Sequence, residues 1–247
     1  MPIRGRTFAL PELFLGLLAI AVAVVLTANI VSGTIHDARH TRDTISVTGS
    51  ARKPISSDLV RWSLTVSHEA PTAAAAAKRL RGEVATVRAF LRREGIPPAA
   101  ISPEVITSQE QAVPLGHHRR KINYRVSQGL DVSTRKLDVV EHAATRVGGL
   151  IAQGIDVSAG EPAYISTELT RAKLAALAAA TADASKRAEI LVHGLGGKLG
   201  PIRRTQLGVY QITPRDSTEV SDYGINDTTS REKDVNAVVT ATFAVKR

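Results

Sequence analysis

The chain has no cysteine in its 247 residues, so disulfides, thiolate metal sites and cysteine nucleophiles are excluded together. Aromatic residues make up only 4%, with one Trp, and there is a single Met. The core must therefore be built from Val, Leu, Ile and Ala, which suits Ala-rich helices on Val-rich strands. No internal repeat is evident. Acidic residues are outnumbered, 23 against 32 Lys and Arg, for a formal charge of +9. Such a balance fits nucleic acid, anionic lipid, an acidic partner or solubility alone, and the compartment has to choose among them.

Residues 13–31, LFLGLLAIAVAVVLTANIV, carry no charge over a length close to the roughly 20 residues that span a bilayer core as a helix. Arg4 and Arg6 in the n-region, residues 1–12, hold that end in the cytoplasm. A cleaved signal peptide is the rival. Its apolar core is usually about 7 to 15 residues and is followed by a small-x-small site, which is not found here. The expectation is a single-pass anchor in a bacterial inner membrane, with everything after a juxtamembrane linker at 32–43 on the periplasmic side. Nucleic acid is then not a partner.

From Thr44 the sequence reads as one exported domain, 44–247. TISVTGSA is a strand, and LVRWSLTVSHEA is another, with Val60, Trp62, Leu64 and Val66 alternating against Arg61, Ser63, Thr65 and Ser67. Pro71 opens a helix that Gly95 closes, and Ala77, Leu80, Val84, Val87 and Leu91 share one face. EVITSQEQAV and INYRVSQGLDV form a hairpin around PLGHHRRK. A helix at 136–147 stops at Gly148-Gly149, and GIDVSAGEPAYI is a strand. A long helix from Ser166 or Thr167 turns Leu169, Ala176, Leu177, Ala180, Ala184, Ala188 and Leu191 inward. PIRRTQLGVYQI is a strand, 213–233 a polar flap, and DVNAVVTATFAVK the closing strand. The fold class is α+β, and the order from Leu59 to Ile165 is compatible with a ferredoxin-like βαββαβ unit.

HGLGGKLG, residues 193–200, has the composition of a phosphate-cradling loop. It follows a helix C-terminus, however, where the dipole is negative and carbonyls point outward, and Lys198 is followed by Leu199 rather than Ser or Thr. These glycines are a helix stop and a reversal. HDARH, His36 to His40, has zincin-like spacing with Asp in place of Glu, but it lacks apolar flanks and is read as linker. TGSA at Thr48–Ala51 is no nucleophile elbow.

The phrases ISVTGSARKPISSDLVRWSLTVS, APTAAAAAKRL, FLRREGIPPAAIS, ASKRAEILVHGLGGKLGPI and VNAVVTATFAVK, in that order, resemble the SIMPL-domain family of bacterial periplasmic or membrane-anchored proteins. The resemblance covers about Ile45 to Val245. It implies partner binding and a link to stress tolerance, and it supplies no catalytic residues or cofactor.

Two positive features remain. GHHRRK places His117, His118, Arg119, Arg120 and Lys121 at a hairpin tip, and on the first long helix Lys78, Arg81, Arg88 and Arg92 follow the apolar series by about one position. Both are read as candidate contacts for anionic lipid or an acidic envelope partner. The reading is therefore a membrane-anchored envelope protein that binds or assembles without catalysis and without a metal or other cofactor. A homo-oligomer is left open, and an extracytoplasmic hydrolase is the alternative.

Overall fold

The computed structural model describes residues 43–114 and 120–246. The apolar run 13–31, HDARH and residues 115–119 lie outside it. Among the described residues no helix is long and apolar enough to cross a membrane. The architecture is mixed α+β with two sheets, and the residues divide into two compact units. One contains 50–180 and 208–238; the other contains 181–207 with the described residues up to 49 and from 239.

In the larger unit, β2 (Leu59–Ala70) is followed by α1 (Ala73–Arg93), then by the hairpin of β3 (Ile101–Pro114) and β4 (Arg120–Thr134). Next come α2 (Leu137–Arg146), α3 (Gly148–Ala152), β5 (Asp156–Ala159) and β6 (Ala163–Ile165). The sheet order is β3-β4-β2-β5, with β6 also on β2, and every pairing is antiparallel. This is the strand order of a split βαββαβ arrangement. Val60, Trp62, Leu64 and Val66 lie on one face of β2, opposite Thr134, Val132, Leu130 and Gln128 of β4. That face packs with Leu80, Val84, Val87 and Leu91 of α1 and Leu137, Val140 and Ala143 of α2 in one buried cluster.

Two expectations need correction here. GIDVSAGEPAYI is two short strands, because the Trp62 indole N–H donates to the Gly160 carbonyl at 2.8 Å while the Gly160 N–H donates to the Ser63 carbonyl at 3.0 Å. Pro162, with no N–H of its own, cannot continue the ladder. Gly148-Gly149 is not a helix stop either, since the chain turns into α3 there. The stop is Gly154, at φ +84, where the Ile155 N–H reaches the Leu150 carbonyl and the Gly154 N–H reaches Ile151. That paired pattern is a Schellman end.

The same unit holds the start of α4 (Leu169–Gly194), with Ala172, Ala176 and Ala180 buried, and the early part of β10 (Glu232–Lys246). The late residues of β1 (Thr44–Ser56) belong to it as well. β8 (Gln211–Pro214) pairs antiparallel with β10, and the short β9 (Ile225–Asn226) runs parallel to β8. The polar stretch expected as a flap is fastened. The ammonium of Lys233, itself buried, donates to the carbonyls of Tyr164 at 2.6 Å and Asp227 at 2.5 Å.

In the smaller unit, β7 (Lys198–Leu207) pairs with β10, and Val47, Ala184, Ala188, Ala241 and Phe243 form the core. PIRRTQLGVYQI therefore serves two strands rather than one. Leu191, expected inward, is 49% exposed and Val192 is buried in its place. The buried positions repeat every four residues, and a side chain three residues after Ala188 leaves that row. The glycine stretch ends α4 as expected: Gly196 has φ +76, the Gly197 N–H donates to Val192 at 2.9 Å and the Gly196 N–H to His193 at 3.0 Å.

Gly200 is required for a further reason, since a Cβ there would stand 2.8 Å from the Ala244 carbonyl oxygen. Gly200→Ala is expected to lower stability by roughly 1–3 kcal/mol in urea unfolding. Gly194→Ala, which would meet nothing within 4 Å, is expected to leave the midpoint in place.

Candidate binding surface: the basic face of α1 and its cleft

α1 is sharply bounded. Thr72 caps its start by accepting from the Ala75 N–H at 3.3 Å, so Pro71 stands before the cap rather than in the first turn. Gly95, at φ +98, permits the close, with the Ile96 N–H on the Leu91 carbonyl. Between them Ala76, Leu80, Val84, Val87, Phe90 and Leu91 are buried. The expected series holds except that Ala76 replaces Ala77 as the fully buried alanine.

Lys78, Arg81, Arg88 and Arg92 are all exposed, as are Arg79 and Arg93, which the sequence reading passed over. Arg81, Arg88 and Arg92 are spaced by seven and four residues and so lie in one row along the helix. Among the described residues none of the six makes an ion pair. Arg92 and Arg93 also suit the negative end of the helix dipole.

The acids that would neutralise this face are turned away from it. Glu83, the one acid of α1, takes the His68 ring Nδ1 at 2.8 Å, and its side chain is largely buried. Glu94, just past the helix, accepts from Arg146 at 3.1 Å and stands 3.2 Å from the His142 ring.

Beside the stripe lies an open cleft of about 960 Å³ lined by His68, Lys78, Arg79, Glu83, Thr86 and Gln153 among others. Its second carboxylate oxygen, Glu83 Oε2, is buried without a hydrogen-bond partner. Nothing beside His68 in the sequence announces this pair, because Glu83 is fifteen positions away and on another element. A signal was present: residue 68 shares the parity of 60, 62, 64 and 66 and so faces the helices. A histidine oriented by a carboxylate can serve acid–base chemistry once a hydroxyl stands against its other nitrogen. Thr86, the one hydroxyl lining this cleft, instead donates to the Gly82 carbonyl at 3.1 Å. The neighbouring Ser67 is hydrogen-bonded to Ser127 at 2.9 Å.

The second basic feature is only partly within view. His117, His118 and Arg119 lie outside the described residues, while Arg120 and Lys121 begin β4 and are exposed. β4 and β3 continue as a two-stranded arm past Ala70, where β2 ends opposite Tyr124. α1 begins at that same end, so the first turns of the basic stripe and the base of the arm share one edge of the unit. Among the described residues no group of three or more His, Asp or Glu could hold a metal ion.

Two further hollows hold perturbed groups. One of about 200 Å³ is lined by Ile55, Tyr164, Leu169, Ile212, Asp227 and Lys233 among others. Burial pushes the Lys233 ammonium below its ordinary value, with Asp227 pushing back. The other, of about 600 Å³, includes Asp58, Glu168 and Arg171. The Asp58 carboxylate accepts the Thr167 hydroxyl at 2.6 Å and the Thr167 N–H at 2.7 Å, and these bonds hold it below the usual carboxylate range.

A carboxylate depressed on folding adds stability that is present above its unfolded value, about 3.9, and is lost as pH falls through the folded value. Asp58→Ala is therefore expected to lower the unfolding midpoint at pH 7. The gap to the unaltered chain should close as the pH falls below about 4, followed by thermal melts across a pH series.

A family model described as SIMPL, protein of unknown function (DUF541), matches residues 45–243. The match covers nearly the same span as the phrases that carry the resemblance. No curated protein matches the chain.

Proposed function

We propose that this chain, which belongs to the SIMPL family, is a binding protein of the cell envelope that acts without catalysis. Its 13–31 segment holds it in the inner membrane, and the basic face of α1 meets an anionic surface, either lipid headgroups or an acidic partner. One observation carries this reading: six exposed cationic side chains share a helix whose only acid is turned inward onto His68. Positive charge that makes no ion pair among the described residues is available to an external partner. The hydrolase alternative would draw on His68 and Glu83, but the hydroxyl in that cleft is committed to a backbone carbonyl.

The magnitudes suit orientation rather than anchoring. Each basic residue near an anionic surface contributes about 1 kcal/mol, so a row of three or four directs a domain that something else must hold there. A membrane helix joined by a short linker does that by raising the local concentration. Assembly at the envelope and protection under stress are compatible with such a protein.

Replacing Arg81, Arg88 and Arg92 together with Gln is expected to weaken binding to vesicles rich in anionic lipid, or to an acidic polypeptide, by roughly a hundredfold at low salt. The slope of affinity against salt should flatten as well, with binding to zwitterionic vesicles as the baseline. If affinity and salt slope match those of the unaltered chain for both anionic probes, the face is only solubilising and the proposal fails.

A further inference from the structure

β3 and β7 are among the strands that present an edge with no strand on it among the described residues. β3 is paired only with β4, and β7 only with β10. Free edges are templates for other chains, and proteins commonly blunt them with proline, bulges and charge. Both strands carry these devices in part. β3 has Pro103 and Pro114 and a register shift between Pro103 and Ile106. β7 has Pro201 and two shifts against β10, the later of which falls between Ile202 and Arg204. What the devices leave is regular ladder: Thr107–Val113 on β3 and Arg204–Leu207 on β7.

The charges on the two edges are of opposite sign. The charged residues of β3 are Glu104 and Glu110, and those of β7 are Lys198, Arg203 and Arg204, all exposed. Pairing β3 with a second β3, or β7 with a second β7, brings like charges together, which destabilises a ladder; β3 against β7 brings opposite ones together.

We propose that the outer edge of β3 in one copy pairs antiparallel with the outer edge of β7 in a second copy, giving a head-to-tail contact that joins their sheets. With Glu110 opposite Arg204, Thr107 falls opposite Leu207, and the paired run is the regular stretch of β7. Pro114 and Pro201 lie beyond this run. Leu207, about half exposed, gains cover in this register. The contact is heterologous, so each copy keeps one edge free for the next. It is independent of the basic face of α1.

The absence of cysteine makes the test clean. Full-length Glu110→Cys and Arg204→Cys chains, each with one thiol, are purified in detergent and oxidised separately and as a mixture. Directly opposed residues in a ladder are close enough for a disulfide. The expected result is a disulfide-linked dimer in the mixture and little in either variant alone. A dimer from Glu110→Cys alone would show β3 meeting β3, and one from Arg204→Cys alone β7 meeting β7; either overturns the proposal. So does a mixture that stays monomeric while its circular dichroism matches the parent chain. As a second readout, Glu110→Arg or Arg204→Glu should each weaken self-association in sedimentation by about fivefold, and the combined swap should restore it. Weakening that persists in the combined swap also counts against the pairing.

Discussion

β2 has partners along both edges: β4 over its whole later length, β5 and β6 on the other side. Its alternation therefore decides the two faces of the five-stranded sheet. Because Val60, Trp62, Leu64 and Val66 are buried and Arg61, Ser63 and Thr65 are exposed, both helices must cover the same face. A slip of one residue would send the whole apolar set to solvent. Trp62 fixes more than packing, since its indole N–H holds Gly160 and so sets where β5 ends and β6 begins.

The position of His68 is a consequence of the same alternation. It lies on the inward side near the end of β2, with Ala70 beyond it, at the rim of the core rather than in it, and there it meets Glu83. That bond removes the single acid of α1 from the helix surface. The basic face is thus a product of two things: where the cations fall relative to the buried stripe, and an inward partner for the acid. A core dominated by Val, Leu, Ile and Ala leaves charge and edge hydrogen bonding, rather than aromatic anchors, as the means by which these surfaces can select a partner. The two surfaces differ in kind, one being a field of charge on a helix and the other a backbone edge with complementary charge.

Alanine has its own part in the helix that ends at HGLGGKLG. Ala172, Ala176 and Ala180 in the larger unit, and Ala184 and Ala188 in the smaller, are buried at intervals of four. Side chains so small let packed strands come close to the helix, as Ala184 and Ala188 do with Val47 and Ala241; Gly200 serves a different approach, that of β7 to the Ala244 carbonyl of β10. The lysine of that stretch begins β7, opposite Lys246 of β10 and beyond a helix C-terminus.

Local periodicity by itself determined most elements, the inward set of β2, nearly all of the buried stripe of α1, the exposure of its cations and the meaning of the glycine stretch. Each of these depends on spacing along one helix or strand, or on the conformational freedom of single glycines. Tertiary structure alone decided the division of GIDVSAGEPAYI, which turns on an indole from another strand, and the division of PIRRTQLGVYQI, whose halves take successive stretches of β10. It alone brought Glu83 to His68, placed Lys233 under the polar stretch, and left β3 and β7 as edges. Period reports which face of an element is apolar. Which element arrives to cover that face, and which edge stays open, is set by pairings between residues far apart in the chain, and no local window contains both partners.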